Sequence, residues 1–329
     1  MDRRHTYGRS ALWLLVICVL GGSSGCNDGP SAVDSAIFDG ALDAPDTNLG
    51  SQDTGMDGTT DVGARADSGA SCEGTLVAEV HGTIETESGG PIAGARPQAC
   101  IRRSPGRALT CLEPPTADAA GVYIIEVPDE FQCWASAALR MLLPEGGYAT
   151  TYCDLDPSPT VDGVLTLADA HVLYATPPAI TRPPIGDATA MRTVVFDDGL
   201  EMDIVPDRLG FGVDYDALSG RRVPVGSDAP CFAAGAGLAG LYGFGEEGSA
   251  DGGGVPVRIP NTTSIPAGTR VELLLVGGLA TELADGTPVE EADLVAYGTG
   301  TVSADGTFVE SDPGSELPYF TWLGYRVAP

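Results

Sequence analysis

Turn-forming residues interrupt this chain so often that no long helix has room to form. From residue 76 apolar and polar positions alternate in short runs, and each run ends on glycine, proline or an acidic turn. Ala78, Val80, Gly82 and Ile84 fall on one face. Val77, Glu79, His81, Thr83 and Glu85 fall on the other, which is mostly polar. That period of two predicts a half-buried strand. Further strands are predicted over 95–101, 122–127, 134–143 and 148–152, with turns at Gly89-Gly90-Pro91, Asp118 to Gly121 and Pro144 to Gly147. Composition agrees: 45 Gly and 25 Pro with 6% aromatics favour short strands joined by turns. Hydrophobic content of 43% over 329 residues supports two modest cores. The fold class read from this pattern is all-β, with two β-sandwich modules after a signal peptide and a disordered acidic tether.

The N-terminus sets the compartment. Arg3, Arg4 and Arg9 precede ten apolar residues, 11–20, and then Gly21, Gly22, Ser23, Ser24 and Gly25. This is the three-part shape of a secretory signal. The apolar run is too short for a bilayer core, which needs roughly 20 residues. The small residues end on Cys26, and the segment resembles the bacterial lipobox. That resemblance implies a signal peptide over 1–25 and acylation of Cys26, which would anchor the chain in a lipid bilayer. Ser23 departs from the family, which usually places Leu there. The plain alternative is an ordinary signal-peptidase cut, with Cys26 left to form a disulfide.

Residues 26–71 form the tether. Asp recurs at 28, 34, 39, 43, 46, 53, 57, 61 and 67, with Arg65 as the one cation. Such a stretch buries too little apolar surface to offset backbone ordering, and its like charges extend it. No window has the ligand spacing of an EF-hand loop. The whole chain carries 46 acidic residues against 17 basic ones, all of them Arg, for a net charge of -29. A surface so acidic repels phosphate backbones and excludes nucleic acid as a partner.

Within residues 72–176 a set of positions recurs together: Gly82, then Gly90 to Ala95, then Thr116-Ala117-Asp118 with Gly121 to Ile124, then Gly147-Tyr148. These residues resemble the carboxypeptidase regulatory-like domain, a small transthyretin-like β-sandwich. The resemblance implies a fold and an extracellular habit, and no catalytic residue. Pro97 stands where the family usually has Val, so it is expected at an edge or bulge, since it has no N–H to donate. A Pro-rich joint over 176–184 leads to the second module, 177–329. There a hairpin is predicted around Asp197-Asp198-Gly199, with strands over 255–259, 271–276, 294–297, 307–310 and 318–327. Residues 265–269 and 298–307 look like modules of bacterial surface proteins, a likeness that implies no activity.

The candidate chemical motifs are weak. Gly235 to Gly240 matches GxGxxG, but the glycines that follow do not suit the helix that a dinucleotide site requires. His81 and His171 sit in no metal spacing, and no G-x-S-x-G elbow exists in the body. Asp154 with Asp156, and Asp214 with Asp216, are spaced to hold calcium on a strand and read more simply as solvated loops. Trp134 and Trp322 read as core rather than sugar platforms.

Export would place the cysteines in an oxidising compartment. Cys72, Cys100, Cys111, Cys133, Cys153 and Cys231 remain after the leader and Cys26. A turn at Ser104-Pro105-Gly106 would set Cys100 opposite Cys111, within disulfide reach. Five of the six lie in the first module. Full oxidation within one chain would therefore bridge Cys231 to it, and a buried free thiol at Cys231 is the rival reading. The functional expectation is a non-enzymatic lipoprotein of the bacterial cell envelope, at the outer membrane or cell surface rather than in the periplasm. Its role would be structural, adhesive or binding, with an envelope protein or glycan as partner and no cofactor or metal. The alternative is a carbohydrate- or calcium-binding accessory module of an enzyme or importer.

Overall fold

The computed structural model describes residues 72, 74–103, 109–157, 160–210 and 212–328. The leader, Cys26, the tether and the turn at Ser104-Pro105-Gly106 lie outside the described residues. The described chain is β throughout, with short 3-10 turns such as Cys231–Ala233 and no α-helix.

Two sheets share the first core. One holds Glu79–Thr86 in its middle. Val164–Thr166 and His171–Ala175 pair with that strand in parallel, Val122–Glu126 pairs with it antiparallel, and Tyr148–Ala149 adds to His171–Ala175. The other runs Thr110–Cys111, Arg96–Arg102, Ser136–Leu142, Thr151–Leu155, all antiparallel. Val80, Ile84 and Ile125 from one sheet meet Ile101, Leu139 and Met141 from the other in a single apolar cluster. Alternation in Glu79–Thr86 follows the sequence pattern, with Val80, Gly82 and Ile84 buried. Val77, expected on the polar face, is buried instead. It precedes the strand, and its N–H donates to Gln132 O at 2.8 Å. Pro97 lies within Arg96–Arg102 yet disturbs no ladder. Thr110–Cys111 pairs only with Cys100 and Ile101, and the next bonds on that side run from Leu112 N to Ala99 O and from Ala117 N to Ala95 O. The proline falls in the gap between them, where no donor is asked of it.

Residues 192–327 form one nine-stranded antiparallel sheet, where the sequence reading expected a second sandwich. The order is Arg192–Val195, Glu201–Ile204, Val257–Pro260, Phe308–Ser311, Leu294–Val302, Arg270–Val276, Tyr319–Val327, Gly240–Ser249, Gly220–Val223. All but one of these strands, Gly220–Val223, send buried apolar side chains into one cluster. Phe196 and Phe320 flank Phe244 edge-on at 5.6 and 5.5 Å between ring centroids. A sheet this wide and twisted encloses its own core by curling.

The Pro-rich joint belongs to this curl. Thr181 and Val195 exchange backbone bonds of 3.0 and 2.9 Å at one edge of the sheet. Ala179 N donates to Leu218 O, and Gly220 N to Pro177 O, both at 3.0 Å, at the other edge. Pro183 O and Pro184 O accept from Tyr215 and Arg192. Prolines suit this place because their carbonyls accept while no N–H is left over. The sequence places the segment as a joint at the start of the second module, and in the fold it also closes that module's sheet edges.

Candidate functional site

The outer face of the nine-stranded sheet is not free. Leu241, Val276 and Trp322 from it pack with Ala138, Ala149, Tyr152 and Tyr174 from the first two sheets. Trp322 is the centre of this seam. Its indole N–H donates to Thr150 O at 2.7 Å, Tyr174 meets it edge-on at 5.7 Å, and Phe232 lies 4.9 Å away. Gly243 makes the approach possible. A Cβ there would lie 2.9 Å from the Trp322 ring and 3.0 Å from Ala149 Cβ. Gly278 does the same for a polar pair: a Cβ would lie 2.5 Å from Glu247 Oε1 and 2.7 Å from the Tyr152 hydroxyl.

Ion pairs surround the apolar centre. Arg140 donates to Glu247 Oε2 at 2.9 Å, and the Tyr152 hydroxyl donates to Glu247 Oε1. Arg102 pairs with Glu290, and Arg221 with Glu87. Burial pushes the Tyr152 hydroxyl well above its ordinary pKa, and the Glu247 charge adds to that. Glu291 is 7% exposed and its Oε2 has no hydrogen-bond partner. Burial pushes its carboxyl up to about 7, with Arg140 pulling the other way and Glu247 adding to the rise. Glu246, which accepts from Ser219 N at 3.2 Å, is likewise pushed up to about 7 by burial.

Among the described residues three disulfides are present: Cys72–Cys133, Cys100–Cys111 and Cys153–Cys231. Cys100 and Cys111 are register partners on adjacent strands. Cys153–Cys231 crosses the seam, so Cys231 is not a free thiol. A cavity of about 340 Å³ opens beside it, lined among others by Asp169, His171, Ser227 and Asp228. Those are the residue types of a hydrolase, but their connections are not. Ser227 Oγ bonds Asp228 Oδ1 at 3.1 Å, while His171 Nδ1 faces Cys153 Sγ at 3.5 Å. A nucleophile needs its hydroxyl on the base.

Comparison with known protein families and with curated proteins finds no match to this chain.

The remaining candidates are placed as follows. His81 lies on the outer face, its Nε2 2.6 Å from Glu79 Oε2. Asp214 accepts from Asp216 N at 2.9 Å and caps a short turn, and Asp216 lies 3.9 Å from Arg182. Asp154 lies near Asp293; burial, then the Asp293 charge, raises its pKa. Trp134 and Trp322 are both buried. The GxGxxG run leads straight into a strand, since Gly240 opens Gly240–Ser249. Sequence reasoning missed Arg140, Tyr152, Glu247 and Glu291. One signal was legible: Glu246-Glu247 interrupts an otherwise glycine-rich and aromatic run, and charges in such a run need partners.

Proposed function

We propose that this chain is a non-catalytic, lipid-anchored protein of the bacterial cell envelope that presents one rigid β body to a protein partner. Cys26 carries the acyl chains, and residues 27–71 act as an acidic spacer. The first two sheets stand as a carboxypeptidase regulatory-like sandwich and the nine-stranded sheet as its surface-protein companion. The observation that carries the reading is the seam. A buried tryptophan, ion pairs and a disulfide join the two parts, an arrangement suited to holding shape outside the cytoplasm. A protein partner is favoured over a glycan because, among the described residues, the large exposed apolar side chains are aliphatic. Leu76, Val122, Ile124 and Val161 are examples, and no exposed aromatic platform accompanies them for a sugar ring. The test is fractionation of cells expressing the full chain. The parent should sediment with membranes and Cys26→Ala should move to the soluble fraction. A variant as membrane-bound as the parent removes the anchor from the proposal.

A further inference from the structure

The two sulfurs of the seam disulfide differ in surroundings. Cys153 is 3% exposed, whereas Cys231 is exposed at the start of its 3-10 turn, and both line the same cavity. Only the buried sulfur has an imidazole beside it, with His171 Nδ1 at 3.5 Å. The other described histidine, His81, pairs with Glu79 on the outer face. Burial lowers the His171 pKa to about 4 against the opposing pull of Asp169, so the ring is neutral at neutral pH and carries one proton. His171 Nε2 is buried without a partner. An orphaned N–H is costlier than an orphaned lone pair, which favours the tautomer with the proton on Nδ1, aimed at sulfur.

We propose that Cys153–Cys231 is a thiol-exchange site, in which a small organic thiol enters the cavity, attacks Cys231 Sγ and expels Cys153 as a thiolate held by His171 Nδ1–H. The incoming thiolate bonds to Cys231 Sγ, and the Cys153–Cys231 bond breaks with its electron pair passing to Cys153. The proton shed by the incoming thiol ends on Cys153, so this step exchanges one disulfide for a mixed one without net redox change. A second thiol then attacks the adduct and releases Cys231 as a thiol. The external disulfide departs, and the bridge has gained two electrons and two protons in all. Cys231 is the exposed residue of the pair and lines the cavity, although its Sγ lies 3.1 Å from Tyr152 O, and a leaving thiolate stabilised by a donor leaves faster. Exchange removes the covalent tie across the seam and leaves the Trp322 contacts and ion pairs in place. The proposal stands on the cavity and does not depend on the lipid anchor.

The test treats the oxidised full chain with glutathione, quenches with acid, alkylates free thiols and maps the peptides. The expected product carries glutathione on Cys231 with Cys153 free. In His171→Gln this exchange should slow about tenfold, the size of one lost hydrogen bond to a charged sulfur, while the opening rate of Cys72–Cys133 is unchanged. Glutathione on Cys153, no adduct under native conditions, or equal rates in the variant and the parent would each overturn the proposal. Should the variant fail to fold, the sulfur modified in the parent still decides.

Discussion

Glu291 shows how one buried carboxyl ties stability to pH. Its native pKa lies above the ordinary carboxylate range because burial penalises the charge. The native state therefore holds that proton more tightly than the unfolded chain does. The stabilisation is fully present below the ordinary carboxylate pKa and is lost as pH rises toward about 7. Glu291→Gln keeps the shape and removes the charge, so it should stabilise the protein at pH 8 by roughly 2 kcal/mol and change little at pH 4. Thermal unfolding at the two values checks this; a variant no more stable than the parent at pH 8 contradicts it. Gly243 makes the opposite point, that an absent side chain holds the seam together. Gly243→Val forces atoms into the Trp322 ring and should cost about 1–3 kcal/mol, read as a lower denaturant midpoint with an unchanged slope.

At the scale of elements, Gly240–Ser249 does the most. It pairs with Gly220–Val223 and Tyr319–Val327 in the sheet, and its register shifts between Gly243 and Gly248. That irregularity carries Glu246 toward Ser219 and Glu247 toward Arg140 and Tyr152. Cys153–Cys231 adds the covalent link, with a sequence separation of 78. Loop-closure entropy for that separation sets an upper value of about 4.5 kcal/mol for its contribution. Cys231→Ser should lower the unfolding midpoint within that limit while the chain still folds, since Trp322, Tyr174 and the ion pairs remain. Equilibrium denaturation without reductant tests this, and complete loss of folding would show that the non-covalent seam is too weak alone.

For the molecule as a whole, the described residues, from 72 onward, all fall in one compact unit. The seam accounts for that unity. Among the described residues, the closest approach to enzyme chemistry is the cavity at His171, where the Ser227 hydroxyl is engaged by Asp228 rather than by the imidazole. Purified residues 72–329 should turn over no ester, peptide or glycoside. Robust turnover abolished by His171→Gln or Ser227→Ala would overturn the non-catalytic reading.

Strand identity was legible in the residues. Alternation named Glu79–Thr86, and the Asp-Asp-Gly turn named the hairpin of Arg192–Val195 with Glu201–Ile204, because a strand's side-chain period and a tight turn's chemistry are local. Partnership was not. The parallel pairing of Glu79–Thr86 with two later strands depends on contacts far apart in sequence, which no local pattern records. So does the curling of nine strands into one sheet. The cysteine count alone raised the bridge from Cys231; only the folded chain chose Cys153 as its partner and set His171 beside it. Local residues determined that this chain makes strands, while long-range packing around Trp322 decided that its sheets act as one body.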